Sequence, residues 1–170
     1  MSWLTDLAPR KALLAMAVGM AGLALASCGG REAAPDFSYT LLDGTQASTH
    51  ALRGKVVLVN FWATSCAICV KEMPALAATH RKFSGRGLET LAVAMSHDAP
   101  ASVSHFAQSR QLPFGVVIDN TGAIARAFSD VRVTPTTYLI DKRGAIVKRY
   151  VGEPDFQALQ ALVDKLLAEA

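Results

Sequence analysis

Cys66-Ala67-Ile68-Cys69 sets two thiols two residues apart, and these are the groups in the 170-residue chain best suited to chemistry. At that spacing two thiols can close and open a disulfide, exchanging two electrons with another thiol pair. A structural zinc site would call for a second cysteine pair, or two histidines about four residues apart. The downstream candidates His80, His97 and His105 have no such spacing. A purely structural disulfide is the other reading, but it would close a very short loop and constrain little of the unfolded chain.

Exchange requires the attacking sulfur as thiolate, which unpaired N–H groups and the positive end of a helix dipole stabilise. The flanking residues predict that setting. Val56-Val57-Leu58-Val59-Asn60-Phe61 is a near-continuous, β-branched apolar run, the pattern of a strand buried on both faces of a parallel sheet. Val70 to Ala78 favours helix. Cys66 is therefore expected beyond the carboxyl end of a central strand and at a helix N-terminus, where sites in open α/β sheets collect.

The other elements must build the sheet around that strand. Phe37–Leu42 and Gln46–Thr49, joined by Asp43-Gly44, read as an N-terminal hairpin. The helix after Cys66 should run to about Phe83, with a kink at Pro74, which lacks an N–H. Strands follow at Leu88–Met95 and Gly115–Ile118, and helices at Pro100–Gln111 and Ala123–Phe128. His97-Asp98 is expected in a strand-to-helix loop, as solvated residues. Thr136–Ile140 and Ala145–Val151 flank the turn-rich Asp141-Lys142-Arg143-Gly144 as a second hairpin. A last helix begins near Pro154, and Phe156, Leu159, Leu162, Val163 and Leu166 give it one apolar stripe. The order predicts an α/β fold: a mixed sheet flanked by helices on both faces, with an N-terminal β-hairpin and a central insertion.

The third cysteine belongs to the amino end. Arg10-Lys11, an apolar stretch from Ala12 to Ala26, and small residues before Cys28 form a secretory signal pattern. The stretch is shorter than the ~20 residues that span a bilayer. Leu25-Ala26-Ser27-Cys28 resembles the bacterial lipobox, which implies cleavage before Cys28 and its lipidation; an ordinary signal peptide leaving a free thiol is the alternative. The expected organisation is a lipoprotein signal over 1–27, a lipidated cysteine and tether over 28–36, and one domain over 37–170. Taking Asp6, Arg10 and Lys11 from the 17 basic and 14 acidic residues leaves 15 against 13. No basic block interleaves with aromatics, so nucleic-acid binding has no support.

Three segments carry a resemblance to a known family: Val59-Asn60-Phe61-Trp62-Ala63, Cys66-x-x-Cys69-x-x-Glu72-x-Pro74, and Val133-Thr134-Pro135-Thr136-Thr137-Tyr138-Leu139-Ile140-Asp141. Together they resemble the thioredoxin superfamily, and within it the membrane-tethered TlpA/ResA/DsbE-like thiol–disulfide oxidoreductases. The resemblance covers nearly all the chain after the signal. It implies a thioredoxin-like sheet, an attacking role for Cys66 and a resolving role for Cys69. Glu72 matches the acidic residue these proteins carry near the dithiol, and could accept the Cys69 proton; its alternative is a solvated helix glutamate. Asn60 stands where cytoplasmic thioredoxins have a buried aspartate. Pro135 resembles the cis-proline facing the cysteines, which aims the Thr134 backbone at the substrate. Trp62 is expected beside the dithiol, counted with Thr134 and Pro135 as substrate-binding, although an aromatic at a strand end can simply be core.

The resemblance implies no metal and no cofactor beyond the redox-active Cys66–Cys69 pair. The partners it implies are disulfide-containing extracytoplasmic proteins such as apocytochrome c or a metal-centre assembly protein, a membrane thiol electron donor, and the membrane itself through the lipid. Two positions depart from the pattern. Ser65 precedes Cys66 where relatives often have Trp, and Ala67-Ile68 is neither Gly-Pro nor Pro-His. Two other functions use the same cysteines. One is a copper-binding module recruiting His97 or a methionine. The other is a thiol peroxidase, for which Val59 and Ala63 replace the Pro and Thr of a Pro-x-x-x-Thr-x-x-Cys site.

Overall fold

The computed structural model describes residues 30–169, so Cys28 and the signal pattern before it lie outside the described residues. A short antiparallel hairpin comes first, β1 (Ser38–Thr40) and β2 (Gln46–Ser48). Its turn is closed by the Asp43 carboxylate, which accepts from the Thr45 N–H at 2.9 Å, while Gly44 takes a left-handed φ of 85°. The hairpin is shorter than the predicted one because Thr49–Leu52 coils into a single 3₁₀ turn.

The apolar run becomes β3 (Val56–Trp62), with every residue buried. It pairs in parallel with β4 (Leu88–Ala94), one of whose neighbours is β5 (Gly115–Ile118). On its other side it pairs antiparallel with β6 (Thr136–Ile140), which turns back into β7 (Ile146–Val151). The sheet order is β5-β4-β3-β6-β7. Helices α1 (Ala67–Phe83), α2 (Pro100–Ser109), α3 (Ala123–Ala127) and α4 (Phe156–Ala168) complete the chain. Every predicted helix and strand is present among these elements, and α1 continues through Pro74 as one helix.

Alternation along β3 divides the core in two. Val56, Leu58 and Trp62 pack in one layer with Met73, Leu76 and Phe83 of α1 and Leu159, Val163 and Leu166 of α4. Val57, Val59 and Phe61 point to the other face, towards Leu91, Val93, Phe128 and Tyr138. Period-two side chains with apolar cover on both sides give the unbroken apolar run its meaning. The second layer is held by edge-on and tilted aromatic contacts, and Tyr138 donates its hydroxyl hydrogen to the Phe128 carbonyl at 2.8 Å.

The expected insertion is the α2–β5 segment, which adds a parallel strand at the β4 edge. The hairpin lies against that strand, with Leu41 bridged to Val117. Gly115 permits the close approach: a Cβ there would stand 3.0 Å from methyl groups of both Leu41 and Leu91.

The β6–β7 turn closes on Asp141, whose Oδ1 accepts from the N–H groups of Arg143 and Ala145. Residues read as tether in the sequence lie along this turn. Ile146 donates its N–H to the Glu32 carbonyl at 2.7 Å, Ala34 donates to Gly144 at 2.9 Å, and Arg31 pairs with Asp141 at 3.3 Å. Register puts Ile140 opposite Val57 at the start of β3, and Thr136 opposite Phe61 near its end. The turn and the cysteines therefore occupy opposite ends of the sheet.

Candidate active site

Chain reversal after β3 places Cys66 as the N-cap of α1, in an extended conformation. Its sulfur accepts a hydrogen bond from the Cys69 N–H at 3.2 Å, one of the donors that a helix start leaves without an intrahelical partner. The same contact would hold a thiolate, assisted by the helix dipole. No acidic residue lies in the first turn of α1 to oppose it. Cys66 and Cys69 are joined as a disulfide with Cα atoms 5.2 Å apart. Cys66 is half-buried, whereas Cys69 is fully buried in the layer between sheet and helices.

Thr134–Pro135 is a cis peptide bond and sits across from the pair. The Thr134 carbonyl oxygen lies 3.6 Å from the Cys66 sulfur. Around them stand exposed apolar side chains: Ile68 between the cysteines, Val133 before Thr134, and Val151, which is paired with Thr136 across β6 and β7. Trp62 is 0 % exposed and packs on Phe106 with ring centroids 5.1 Å apart. It shares a packed layer with Cys69 and supports the site from below, with no face open to a substrate.

Glu72 lies three residues beyond Cys69, on the same face of α1. It is 1 % exposed, not a solvated helix glutamate. Its Oε1 accepts from the Asn60 side-chain amide at 3.0 Å, and the same amide donates to Thr137 Oγ1 at 2.9 Å. Burial pushes the Glu72 carboxyl up to about 7, against the opposing pull of the Asn60 hydrogen bond and with help from the Glu153 charge. Oε2 of Glu72 and Oδ1 of Asn60 are buried without a protein partner. A carboxyl tuned to neutrality can take and return a proton at working pH.

One residue departs from the sequence expectation of a solvated loop aspartate. Asp98 is buried, and both its oxygens accept from Thr64, Oδ2 from the backbone N–H at 2.6 Å and Oδ1 from the hydroxyl at 2.5 Å. Its neighbour His97 is exposed in the loop after β4, as expected. Nothing local distinguishes Asp98 from a solvated loop aspartate, since its partner stands 34 residues away. Among the described residues no three His, Cys, Asp or Glu side chains converge as a metal site.

The geometry has counterparts in known proteins. The model of the AhpC/TSA family matches residues 31–149. The thiol-disulfide oxidoreductase ResA of Bacillus cereus is 35% identical over 137 residues, covering 81% of this chain and 78% of that protein. The thioredoxin-like protein YneN of Bacillus subtilis is 34% identical over 135 residues, covering 78% of each. A solution structure of a Neisseria meningitidis protein assigned as a thioredoxin superposes with a TM-score of 0.76 at 40% identity, over 82% of this chain and 93% of that one. A thioredoxin-family thiol:disulfide interchange protein from Chlorobium tepidum superposes with a TM-score of 0.75 at 26% identity, over 81% and 97%.

Proposed function

Given that the chain belongs to the thioredoxin superfamily and, within it, to the ResA/DsbE-like thiol–disulfide oxidoreductases, we propose that it reduces disulfides of extracytoplasmic proteins with Cys66 as the attacking sulfur. One observation carries the assignment: the half-buried Cys66 sulfur caps α1 beside Thr134, with Cys69 enclosed behind it. In the reduced protein, the Cys66 thiolate attacks one sulfur of a target disulfide, and the other sulfur leaves as a thiolate. Cys69 then loses its proton to Glu72 and attacks Cys66. The second target sulfur departs as a thiolate, which takes up the proton held by Glu72, and the Cys66–Cys69 disulfide closes. Two electrons pass to the target, and a membrane thiol donor restores the dithiol.

Thr134 and Pro135 would receive the target beside the dithiol, a role supported by the Thr134 carbonyl standing next to the Cys66 sulfur. The apolar rim of Ile68, Val133 and Val151 favours an unfolded or loosely folded protein segment over a charged small molecule. Apocytochrome c or a metal-centre assembly protein is such a target. A trapping pair tests the order of events. Cys69→Ser should accumulate mixed disulfides through Cys66 on non-reducing gels, while Cys66→Ser should accumulate few; stronger trapping through Cys69 reverses the assignment.

Cellular placement follows from the amino end. Leu25-Ala26-Ser27-Cys28 supports removal of residues 1–27 and attachment of lipid to Cys28, which would hold the enzyme at a bacterial membrane facing the periplasm or cell exterior. Growth with a radioactive fatty acid should label the wild type and leave Cys28→Ser unlabelled. Equal label in both would remove Cys28 as the anchor.

A further inference from the structure

We propose that Asp98 is a positioning residue for the dithiol: by gripping Thr64 it fixes the loop that presents Cys66, and so ties the inserted α2–β5 segment to the reacting sulfur. The inference rests on the reading of Cys66 as the attacking group, and it adds a residue that touches neither sulfur.

Between the end of β3 at Trp62 and the start of α1 at Ala67, three residues lead up to Cys66 outside any ladder or helix. The Cys66 N–H donates to the Ala63 carbonyl at 3.1 Å, so the attitude of this short loop sets where the sulfur stands. Thr64 is its midpoint. Its two donors, backbone and side chain, both end on one carboxylate, at 2.6 and 2.5 Å. A two-point attachment fixes rotation as well as position, and hydrogen bonds to an ionised acceptor are roughly twice as strong as neutral ones. Asp98 is itself anchored, its N–H donating to the Met95 carbonyl at 2.9 Å just beyond β4. At 8 % exposure the carboxylate faces little competition from water.

The same connection grips the site a second time. Phe106 of α2 packs on Trp62, the last residue of β3, in the layer that encloses Cys69. The chain from Asp98 into α2 thus holds two points of the approach to Cys66, Trp62 at the end of β3 and Thr64 in the loop.

The test uses the full chain carrying Cys28→Ser and Cys69→Ser, which leaves Cys66 as the sole thiol. Two quantities are measured: the rate at which Cys66 forms a mixed disulfide with oxidised glutathione, and the melting temperature. Asp98→Ala should slow the reaction by between about 10- and 100-fold, the usual cost of a small misplacement of a reacting group. Asp98→Asn should recover most of the rate, because the amide oxygen can accept from the Thr64 N–H while its NH₂ donates to the hydroxyl. A role confined to stability would lower the melting temperature and leave the rate of folded protein unchanged. That result overturns the proposal, as does an Asp98→Asn variant as slow as Asp98→Ala, which would assign the effect to charge alone. Should Asp98→Ala fail to fold, Thr64→Val decides: it keeps the N–H and loses the hydroxyl, and must react more slowly than its parent. A parent in which Cys66 forms no mixed disulfide defeats the reading of Cys66 itself and the latch with it, whereas a reactive parent matched by its Asp98→Ala partner defeats the latch alone.

Discussion

At the residue scale, the Glu72 carboxyl, the proposed proton acceptor, works against the fold that holds it. It titrates near 7 instead of 4.5 because it is buried, so the folded state resists ionising it. A raised folded pKa contributes stability that is complete below the unfolded value and is lost as pH rises through 7. The whole shift corresponds to ~3 kcal/mol as an upper bound. Glu72→Gln keeps the shape and removes that loss. Denaturant titrations should find it more stable than wild type at pH 8, by up to ~3 kcal/mol, and close to wild type near pH 4.5. Insulin reduction should fall at the same time, since the Cys69 proton has no acceptor. A variant equally fast across pH would return Glu72 to a structural role. In the sequence this residue stands out through the family resemblance, which matches it to the acidic residue near the dithiol, and its spacing from Cys69 places both on one helix face. Asp98 was not legible, because a carboxylate acquires its meaning from Thr64, and that pairing exists only after β3 and β4 have aligned.

At the scale of elements, apolar patterning was enough for most of the chain. A run such as Val56–Trp62 can be buried on both faces only as a central strand, and Asp155, whose carboxylate accepts from the N–H groups of Gln157 and Ala158, starts α4 close to where Pro154 announced it. Ends were less legible, since Ala145 is drawn into the Asp141 turn and Thr49 into a coil. The hairpin depends on one small residue in an element it does not belong to. At Gly115 a methyl group would meet Leu41 and Leu91 at 3.0 Å, and overpacking of this kind costs about 1–3 kcal/mol. Gly115→Ala should therefore lower the denaturation midpoint and increase proteolytic cleavage within residues 37–49, while the disulfide-exchange rate of the folded protein holds. Unchanged cleavage would mean that the hairpin does not depend on this contact.

For the molecule as a whole, two buried ionisable groups pull pH stability in opposite directions. His80 is buried against Phe114, with Nδ1 3.2 Å from Thr90 Oγ1. Burial holds its pKa below the ordinary 6.5, outweighing the opposing influence of Glu89. A folded pKa below the unfolded one means stability is present above 6.5 and lost as pH falls below it. Glu72 acts in the opposite sense over the same acid-side window, since its contribution returns as pH falls from about 7 towards 4.5, so the two offset each other there. His80→Gln should be more stable relative to wild type below pH 6.5 than above it, and no such gain would exclude His80 as the cause. The strand order could not be read from the chain, because the placement of β5 beside β4 is a long-range parallel pairing with no local signature. That topology also decides where the start of the domain attaches. Glu32–Ala34 is bonded along the β6–β7 turn, at the far end of the sheet from Cys66. A seven-residue strand spans about 20 Å, so any pull or attachment transmitted through the preceding chain takes hold a sheet's length from the dithiol. If the preceding chain is anchored as proposed, it serves as a handle, with the dithiol at the other end of the tool.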